Sequence, residues 1–476
     1  MNPLKNYDAI IVGSGPNGLA AAITLARAGL SVVVYEARDT VGGGMRSAEL
    51  TKPGFIHDIC SAIHPLAAAS PFFQELPLTQ FGLEWIEPPL AVAHPLDSEF
   101  PVILERSVKK TSEGLGQDSK SYSKIIGPLL RKWPKLLPEL LRPARIPANP
   151  ARLLSFGRYG IQSASGFSLR YFSGSRARAM FSGLAAHSML PLDRSFTAAI
   201  GLVLGVTAHS VGWPLPKGGS RKIADAMSAY LKSLGGEIIL DHKIEKIKDL
   251  PTTPAILLDV VPRQMLQMAA EELPESYKKK LQKFRYGPGV FKIDWALNEA
   301  IPFKHGKCQQ AGTVHIGGNW EEIALAEEQV SRGEHPERPF VLLAQQSLFD
   351  PKRAPVGKHS AWAYCHVPAG STIDMTEHIE NQVERFAPGF KDTIIARHTM
   401  NCQEYENYNA NYIGGDINGG IQDWRQILAR PVLRWNPYTT PNPSLFICSS
   451  STPPGGGVHG MCGYHAAKTV LKNIFQ

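Results

Sequence analysis

The first 36 residues alternate between apolar runs and glycine turns in a pattern typical of a strand, a helix and a second strand. Ile10 to Val12 are apolar and β-branched, which predicts a strand. Leu19 to Ala28 is helical in composition, Gly29 suits a helix C-cap, and Leu30 to Tyr35 predicts the second strand. Because such a unit builds a parallel sheet, the chain is predicted to start as an α/β fold.

The turn after the first strand has the spacing Gly13-x-Gly15-x-x-Gly18, with Pro16 and Asn17 between the last two glycines. Gly13 permits a tight turn, Gly15 lets the backbone approach a pyrophosphate, and Gly18 lets the helix pack on the strand. The N-terminus of the helix favours the negative charge of a diphosphate. These five residues are therefore candidate cofactor-binding residues.

An acidic residue stands at the end of the second strand. Glu36 lies 23 residues after Gly13, and Ala37 follows it. At this spacing a carboxylate can accept hydrogen bonds from the hydroxyls of an adenosine ribose, and it argues against a ribose 2′-phosphate. Together with the glycine turn, Glu36 and Ala37 predict dinucleotide binding.

The bulk composition is that of an ordinary globular protein, with 476 residues, 43% hydrophobic and 19% charged. The length predicts two domains. No apolar run reaches the roughly 18 residues of a spanning helix, and the first apolar segment starts too early for a signal peptide. Six cysteines without a C-x-x-C pair and fifteen scattered histidines predict neither a disulfide scaffold nor a metal site. We therefore expect a cytoplasmic protein without a metal.

A second glycine cluster, GGGMRS at 42–47, follows Glu36 closely. It resembles the FAD-binding signature of the glutathione-reductase-like flavoproteins, especially the branch that holds amine oxidases and phytoene desaturases. The resemblance implies that the loop with Gly43 and Gly44 passes the diphosphate and ribityl chain of FAD, with Arg46 beside it.

The end of the chain carries the same resemblance in LFICSSSTPPGGGVHGMCGYHAA, residues 445–467. It implies that Leu445 to Cys448 form a strand, that a helix starts at Met461, and that the loop between them runs along the flavin. The amides of Gly460 and Met461 would then point at flavin N1 and O2. The cofactor-binding residues implied for this element are Gly456, Gly457, His459, Gly460 and Met461.

A third match lies in the middle of the chain, at 212–247, where Ile244 is the hydrophobic residue implied to hold the adenine end. The fold class that follows is α/β, with a Rossmann-like FAD-binding domain assembled from three segments and a mixed α+β substrate domain. The predicted FAD-binding segments are 1–90, 212–285 and 437–476. The predicted substrate-domain segments are 91–211 and 286–436.

On the substrate side, Val290 to Leu297 alternates as a strand, so Phe291, Ile293 and Trp295 share one face while Lys292 and Asp294 share the other. Lys292 resembles the strand lysine that holds a water at flavin N5 in amine oxidases, which makes it the candidate catalytic residue. The alternative is an ordinary charge on a half-buried strand.

Two further segments suggest a cavity wall. The loop YNANYIGGDINGG at 408–420 is rich in Asn, Gly and Tyr, and Tyr408 and Tyr412 are predicted to flank the substrate. A surface loop is the alternative. His187 stands in the apolar run 185–192, where a histidine is more often a satisfied core residue than a catalytic one.

The net charge of +8 is concentrated in one segment, 124–158, which holds eight basic residues against Glu139 alone. Leucine pairs and Trp133 alternate there with Arg and Lys, and prolines are expected to break the segment into short turns. Such a segment suits an anionic bilayer surface, which makes peripheral membrane association an expectation. The alternative is a helix cluster with a solvated face. Elsewhere the charges balance, so no nucleic-acid partner is expected.

The resemblance implies an FAD-dependent oxidoreductase that acts on a hydrophobic small molecule of polyene, isoprenoid or lipid type, by hydride transfer between a substrate carbon and flavin N5. A flavin amine oxidase, favoured by Lys292, is the first alternative. A non-catalytic flavoprotein assembly factor is the second.

Overall fold

The computed structural model describes residues 6–97, 100–143 and 150–476. Residues 144–149 of the basic segment lie outside the described residues. The strands are β1 (Ala9–Val12), β2 (Val32–Tyr35), β3 (Ser47–Glu49), β4 (Ile56–Asp58), β5 (Trp85–Ile86), β6 (Leu90–His94), β7 (Val102–Leu104), β8 (Leu215–Pro216), β9 (Glu237–Ile239), β10 (Ala255–Leu258), β11 (Gly289–Leu297), β12 (Ala311–Ile316), β13 (Val341–Ala344), β14 (His359–Val367), β15 (Ile394–Met400) and β16 (Leu445–Ile447).

The α-helices of the described residues are α1 (Pro16–Ala26), α2 (Pro65–Ala69), α3 (Pro71–Gln74), α4 (Val108–Glu113), α5 (Ser119–Leu140), α6 (Pro150–Gly160), α7 (Ala164–Tyr171), α8 (Ser175–Ala186), α9 (Thr197–Val211), α10 (Arg221–Ser233), α11 (Pro262–Ala269), α12 (Glu275–Leu281), α13 (Trp320–Ser331), α14 (Thr376–Phe386), α15 (Cys402–Tyr408), α16 (Trp424–Leu428) and α17 (Met461–Val470).

A parallel sheet of five strands forms the first half of the fold, in the order β16-β10-β1-β2-β9. Its strands are short, and all but the half-buried edge strand β9 are fully or largely buried, as expected where helices cover a parallel sheet. They come from three separated stretches of the chain. The predicted fold class, a Rossmann-like core assembled from three segments, is confirmed.

Glycine at the end of the chain lets the last helix pack directly on the first. A Cβ at Gly463 in α17 would overlap the carbonyl oxygen of Asn17 in α1, and a Cβ at Gly460 would lie 2.7 Å from the ring of Phe72. Gly460 also has a φ of +68°, which favours glycine. These contacts fix the end of the chain against the first helix of the parallel sheet.

The second sheet has seven strands in the order β15-β11-β14-β13-β12-β6-β7 and is mixed. Phe291, Ile293 and Trp295 of β11 lie in a core that also contains Ile379 and Val383 of α14. Because side chains alternate along a strand, Lys292 and Asp294 lie on the opposite face, as the alternation predicted. The register places Tyr364 beside Lys292 and Trp362 beside Asp294, so these four side chains share that face.

The basic segment differs from its prediction. Its first part is one helix, α5, that continues through Pro128, Pro134 and Pro138, so the expectation of short turns broken at the prolines was wrong. Trp133 is 1% exposed, and Leu129, Leu136 and Leu137 are buried with it in the core. These apolar side chains are therefore not available for insertion into a bilayer. Within the described residues, no helix combines the length and apolar character needed to cross a membrane.

Candidate functional site

One large cavity lies between the two sheets, with a volume of about 980 Å³, which is the size of a site for a large ligand. Its outer part is bounded by the turn after β1, the end of β2 and the 42–46 loop. Its inner arm lies against the face of the seven-stranded sheet that carries Tyr364 and Trp362. The inner arm is lined by Leu66, His187, Leu204, Trp213, Thr313, Leu342 and Trp362.

Most of the residues predicted from the sequence meet at this cavity. The predicted residues that line it are Gly13, Gly15, Pro16, Asn17, Glu36, Ala37, Gly43, Gly44, Arg46, Ile244, Tyr408, Tyr412 and Gly457. The predicted residues that are not among its lining residues are Gly18, Lys292, Gly456, His459, Gly460 and Met461. Three distant stretches of the chain thus converge on one site.

The glycine turn is packed so tightly that side chains have no space in it. A Cβ at Gly18 would overlap the carbonyl oxygen of Gly13, and a Cβ at Gly43 would lie 3.1 Å from the Cα of Gly15. Gly13 and Gly43 also have φ values of +100° and +55°. Gly15 is the N-cap of α1 and offers no side-chain cap to the helix. The first amides of α1 are thus left for a ligand or for neighbouring groups.

Asp259, at the end of β10, lies beneath this turn and lines the cavity. Its Oδ2 accepts a hydrogen bond from the Gly18 amide at 2.9 Å and would lie 2.6 Å from a Cβ at Gly15. Burial raises the pKa of Asp259 to about 7; the amides of Gly18 and Gly15 oppose this shift and Glu36 reinforces it. The carboxyl group therefore titrates near neutral pH.

Glu36 is 7% exposed and is held by the turn that it faces. Its Oε2 accepts hydrogen bonds from the amide and the hydroxyl of Ser14, at 3.0 and 2.5 Å. Its Oε1 accepts from the Arg38 amide at 3.0 Å and lies 3.2 Å from Nη2 of Arg46. Arg46 in turn donates to the carbonyl oxygen of Thr40. The carboxylate and the guanidinium are thus fixed at the rim of the outer part.

The structure places both predicted substrate tyrosines against the 42–46 loop. The Tyr408 hydroxyl donates to the carbonyl oxygen of Gly43 at 3.4 Å, and Arg46 lies 5.8 Å from the Tyr408 ring centre. The Tyr412 hydroxyl donates to Sγ of Cys60 at 3.5 Å. Both tyrosines therefore lie on the side of the cavity where the predicted cofactor loop runs, and their contact with substrate stays a prediction.

The C-terminal loop reaches the cavity through Gly457 and Val458. The Met461 amide donates to Nδ1 of His459 at 3.0 Å, and Nε2 of His459 lies 3.2 Å from the carbonyl oxygen of Gly455. The hydrogen of the Met461 amide is thus taken by His459, and the expectation that this amide points at the flavin stays a prediction. A Cβ at Gly456 would lie 2.8 Å from the carbonyl oxygen of Asn418, so this glycine permits the close approach of two loops.

Lys292 belongs to a buried charge cluster on the same sheet face as Tyr364 and Trp362, and it is not among the residues that line the cavity. Its ammonium group donates to the carboxylate of Asp294, whose oxygens lie 3.6 Å from Nδ1 of His57 and 3.4 Å from Nδ1 of His398. Burial lowers the pKa of His57 to about 4, so His57 is neutral at neutral pH. Tyr364, the register partner of Lys292, lines the cavity while Lys292 does not. A role for Lys292 at flavin N5 stays a prediction.

His187 is the cavity residue that the sequence analysis assigned to the core. It follows α8 as its C-cap and lines the inner arm, with its ring 5.6 Å from that of Trp213. Its apolar neighbours along the chain indicated burial, and no local pattern showed that the buried space contains a cavity. Asp259 is another cavity residue that was not named as a candidate.

Comparisons with known proteins agree with this geometry. Residues 11–76 match the family model of the NAD(P)-binding Rossmann-like domain. The chain is 26% identical to pyridine nucleotide-disulfide oxidoreductase domain-containing protein 2 of Rattus norvegicus, over 98% of this chain and 94% of the relative. It is 21% identical to a subunit of the limonene dehydrogenase of Castellaniella defragrans, over 100% and 96% of the two chains. It is 23% identical to the lycopene-forming phytoene desaturase of Pantoea ananas, over 95% and 96%.

Solved structures show the same fold over the whole chain. An oxidoreductase from Methanosarcina mazei superposes with a TM-score of 0.65 at 14% identity, over 98% of this chain and 99% of that one. A triple mutant of putrescine oxidase superposes with a TM-score of 0.62 at 17% identity, over 98% and 99%.

The fold and the relatives together define the class of the protein. It is an oxidoreductase of the FAD-dependent class, with phytoene desaturase and limonene dehydrogenase among its homologues. The resemblance inferred from the sequence is confirmed. A flavin cofactor is implied by this class.

Proposed function

We propose that the outer part of the cavity binds FAD. The glycine turn with Gly13 and Gly15 would hold the diphosphate, Glu36 the ribose and Ile244 the adenine end, since all four line one continuous cavity. Asn17 supports the fit, because its buried Oδ1 has no hydrogen-bond partner within the described residues. Buried polar atoms without partners are rare in complete structures, so a bound group that supplies one is expected here.

We propose further that the inner arm holds a hydrophobic substrate. The observation that carries this is the continuity of the cavity from the glycine turn into an arm whose wall is formed by Leu66, Leu204, Trp213, Leu342 and Trp362. Bound FAD would exchange a hydride at N5 with a substrate carbon. The chain itself would exclude water and orient the substrate. Relatives named for limonene and phytoene, which are apolar molecules, support this substrate class.

Amine oxidation is the weaker candidate. It was predicted from Lys292, whose ammonium group is hydrogen-bonded to Asp294 and which is not among the residues that line the cavity. The likeness to putrescine oxidase is a likeness of fold. The relatives named as enzymes likewise favour an oxidoreductase over an assembly factor.

An anionic membrane surface is proposed as the place where such a substrate is taken up. Arg131, Lys132 and Lys135 are exposed on α5 and line a surface groove that Arg152 of α6 also borders. Leu154, two residues further along α6, is 70% exposed. Cations near an anionic bilayer each contribute about 1 kcal/mol. Since Trp133 is buried, the attraction rests on charge.

The test is anaerobic mixing of the flavin-loaded protein with limonene, phytoene and putrescine. Apolar substrates should bleach the flavin absorbance of the oxidised protein or restore it in the reduced protein. Leu204→Gln, which places an amide in the inner arm, should slow this step about 5- to 150-fold, because burying an unpaired amide costs about 1–3 kcal/mol.

The matched control is Leu325→Gln, since Leu325 is 52% exposed on α13 and does not line the inner arm. It should leave the rate unchanged. Bleaching by putrescine with no response to either apolar compound would replace the proposal with amine oxidation.

A further inference from the structure

The imidazole of His187 has one satisfied nitrogen and one that is not. Its Nε2 lies 3.1 Å from Nε2 of His315 on β12. Its Nδ1 has no hydrogen-bond partner in residues 6–97, 100–143 and 150–476. His187 is half-buried and lines the inner arm, whereas His315 is fully buried behind it. The free Nδ1 of His187 is therefore on a ring that borders the cavity.

The partner ring determines which nitrogen of His187 carries the proton. Nδ1 of His315 is buried without a partner within the described residues. A buried N–H without an acceptor is rarer than a buried acceptor without a donor, so the proton of His315 is assigned to Nε2. Nε2 of His315 then donates to Nε2 of His187. A neutral imidazole has one donor and one acceptor, which puts the proton of His187 on Nδ1.

The same arm contains other polar groups that lack partners. Oγ1 of Thr313 and Nε1 of Trp362 are buried and without a hydrogen bond in the described part of the chain. Both residues line the cavity. Thr313 is on β12 and Trp362 is on β14, and β13 lies between these two strands of the seven-stranded sheet. Each can donate a hydrogen, and Trp362 can only donate. The arm thus combines an apolar wall with donors that have no acceptor.

The cations that line the cavity in the described residues lie elsewhere. Arg38, Arg46 and Lys243 are all in the outer part, beside Glu36 and Ile244. Burial lowers the pKa of His187 to about 3, so its ring is uncharged at neutral pH. A carboxylate would have to be desolvated in the inner arm without a counter-charge, which is costly.

We propose that the inner arm recognises an uncharged oxygen, a carbonyl or hydroxyl, on an otherwise apolar substrate, and that Nδ1–H of His187 is its donor. The inference rests on the proposed function, because it names the substrate class of the same site. It places His187 as a specificity-determining residue that positions the substrate.

The test compares three probes of equal chain length, which are undecane, undecan-2-one and undecanoate. Binding to the flavin-loaded protein is followed by tryptophan fluorescence, since Trp213 and Trp362 line the arm. Undecan-2-one should bind more tightly than undecane by about three- to tenfold, the effect of one hydrogen bond, and more tightly than undecanoate. His187→Leu should abolish the preference over undecane.

His187→Asn is the matched variant, because its amide nitrogen can take the place of Nδ1. It should retain the preference that His187→Leu loses. Equal affinity of wild type for undecane and undecan-2-one, tighter binding of undecanoate, or an unchanged preference in His187→Leu would overturn the inference. These outcomes are measured as binding to protein that holds its flavin. Failure of the proposed function would instead show as protein without flavin, or as bound flavin that no apolar compound reduces or reoxidises.

Discussion

Asp259→Asn tests whether the carboxyl group beneath the glycine turn controls cofactor binding. The amide keeps the shape of the side chain and an oxygen that can accept the Gly18 hydrogen bond, now 2.9 Å long. It removes the one group of the turn that titrates near neutral pH, with a pKa of about 7. Glu36 is the charged neighbour that contributes to this pKa, and it is left in place.

The sign and size of the effect follow from proton linkage. Below pH 7 Asp259 is protonated in the free protein, so the affinity for FAD is independent of pH. Above pH 7 the free protein loses this proton, whereas the negative diphosphate keeps it on the bound form. Binding then takes up one proton, and the Kd rises about tenfold per pH unit. Between pH 7 and pH 9 the loss is about 50-fold, or about 2.3 kcal/mol.

The assay is a titration of flavin-stripped protein with FAD between pH 6 and pH 9, followed by flavin fluorescence. Asp259→Asn should bind with the same Kd throughout and should exceed the wild type in affinity at pH 9. Asp39→Asn, which removes an exposed carboxylate after β2, should keep the slope of the wild type. A wild-type Kd that does not change with pH, or a slope that survives in Asp259→Asn, would refute the reasoning.

Three further predictions follow from other contacts. Glu36→Gln should weaken FAD binding by about 1.5–3 kcal/mol in a fluorescence titration, because a hydrogen bond to a charged acceptor is lost; an unchanged Kd would place the ribose elsewhere. Lys292→Met should lower the free energy of unfolding by about 3–5 kcal/mol in urea denaturation, because it leaves a buried carboxylate unpaired, while FAD stays bound. Reversal of Arg131, Lys132 and Lys135 to Glu should abolish cosedimentation with anionic vesicles, and high salt should do the same to the wild type; binding that resists salt would contradict a charge-based surface.

The first 46 residues show how far local sequence determines this fold. Neighbouring atoms leave no space for a Cβ at Gly15 and Gly18, and Gly13 has a positive φ that favours glycine. The apolar runs beside these glycines form buried strands and a helix. Glu36 follows from the same spacing. These features depend on residues close in sequence, so they could be predicted without the structure.

Other features depend on contacts between distant segments and could not be predicted. α5 remains one helix through three prolines because Trp133 and its leucines are buried against the rest of the protein. His187 borders a cavity because other parts of the wall are formed by β12 and α9, which come from other stretches of the chain. The hydrogen of the Met461 amide is taken by His459, two residues away, in a geometry that only the folded loop fixes.

The most direct test of the account is the identity and amount of the cofactor in the purified protein. Heat or acid should release FAD, measured by absorbance and mass spectrometry, at about one per chain. In Gly15→Val this amount should fall to near zero, because a side chain would meet Asp259, whereas Gly306→Val, with open space around the glycine, should retain it. Protein that contains no flavin and binds NAD instead, or full FAD occupancy in Gly15→Val, would contradict the assignment of the cavity.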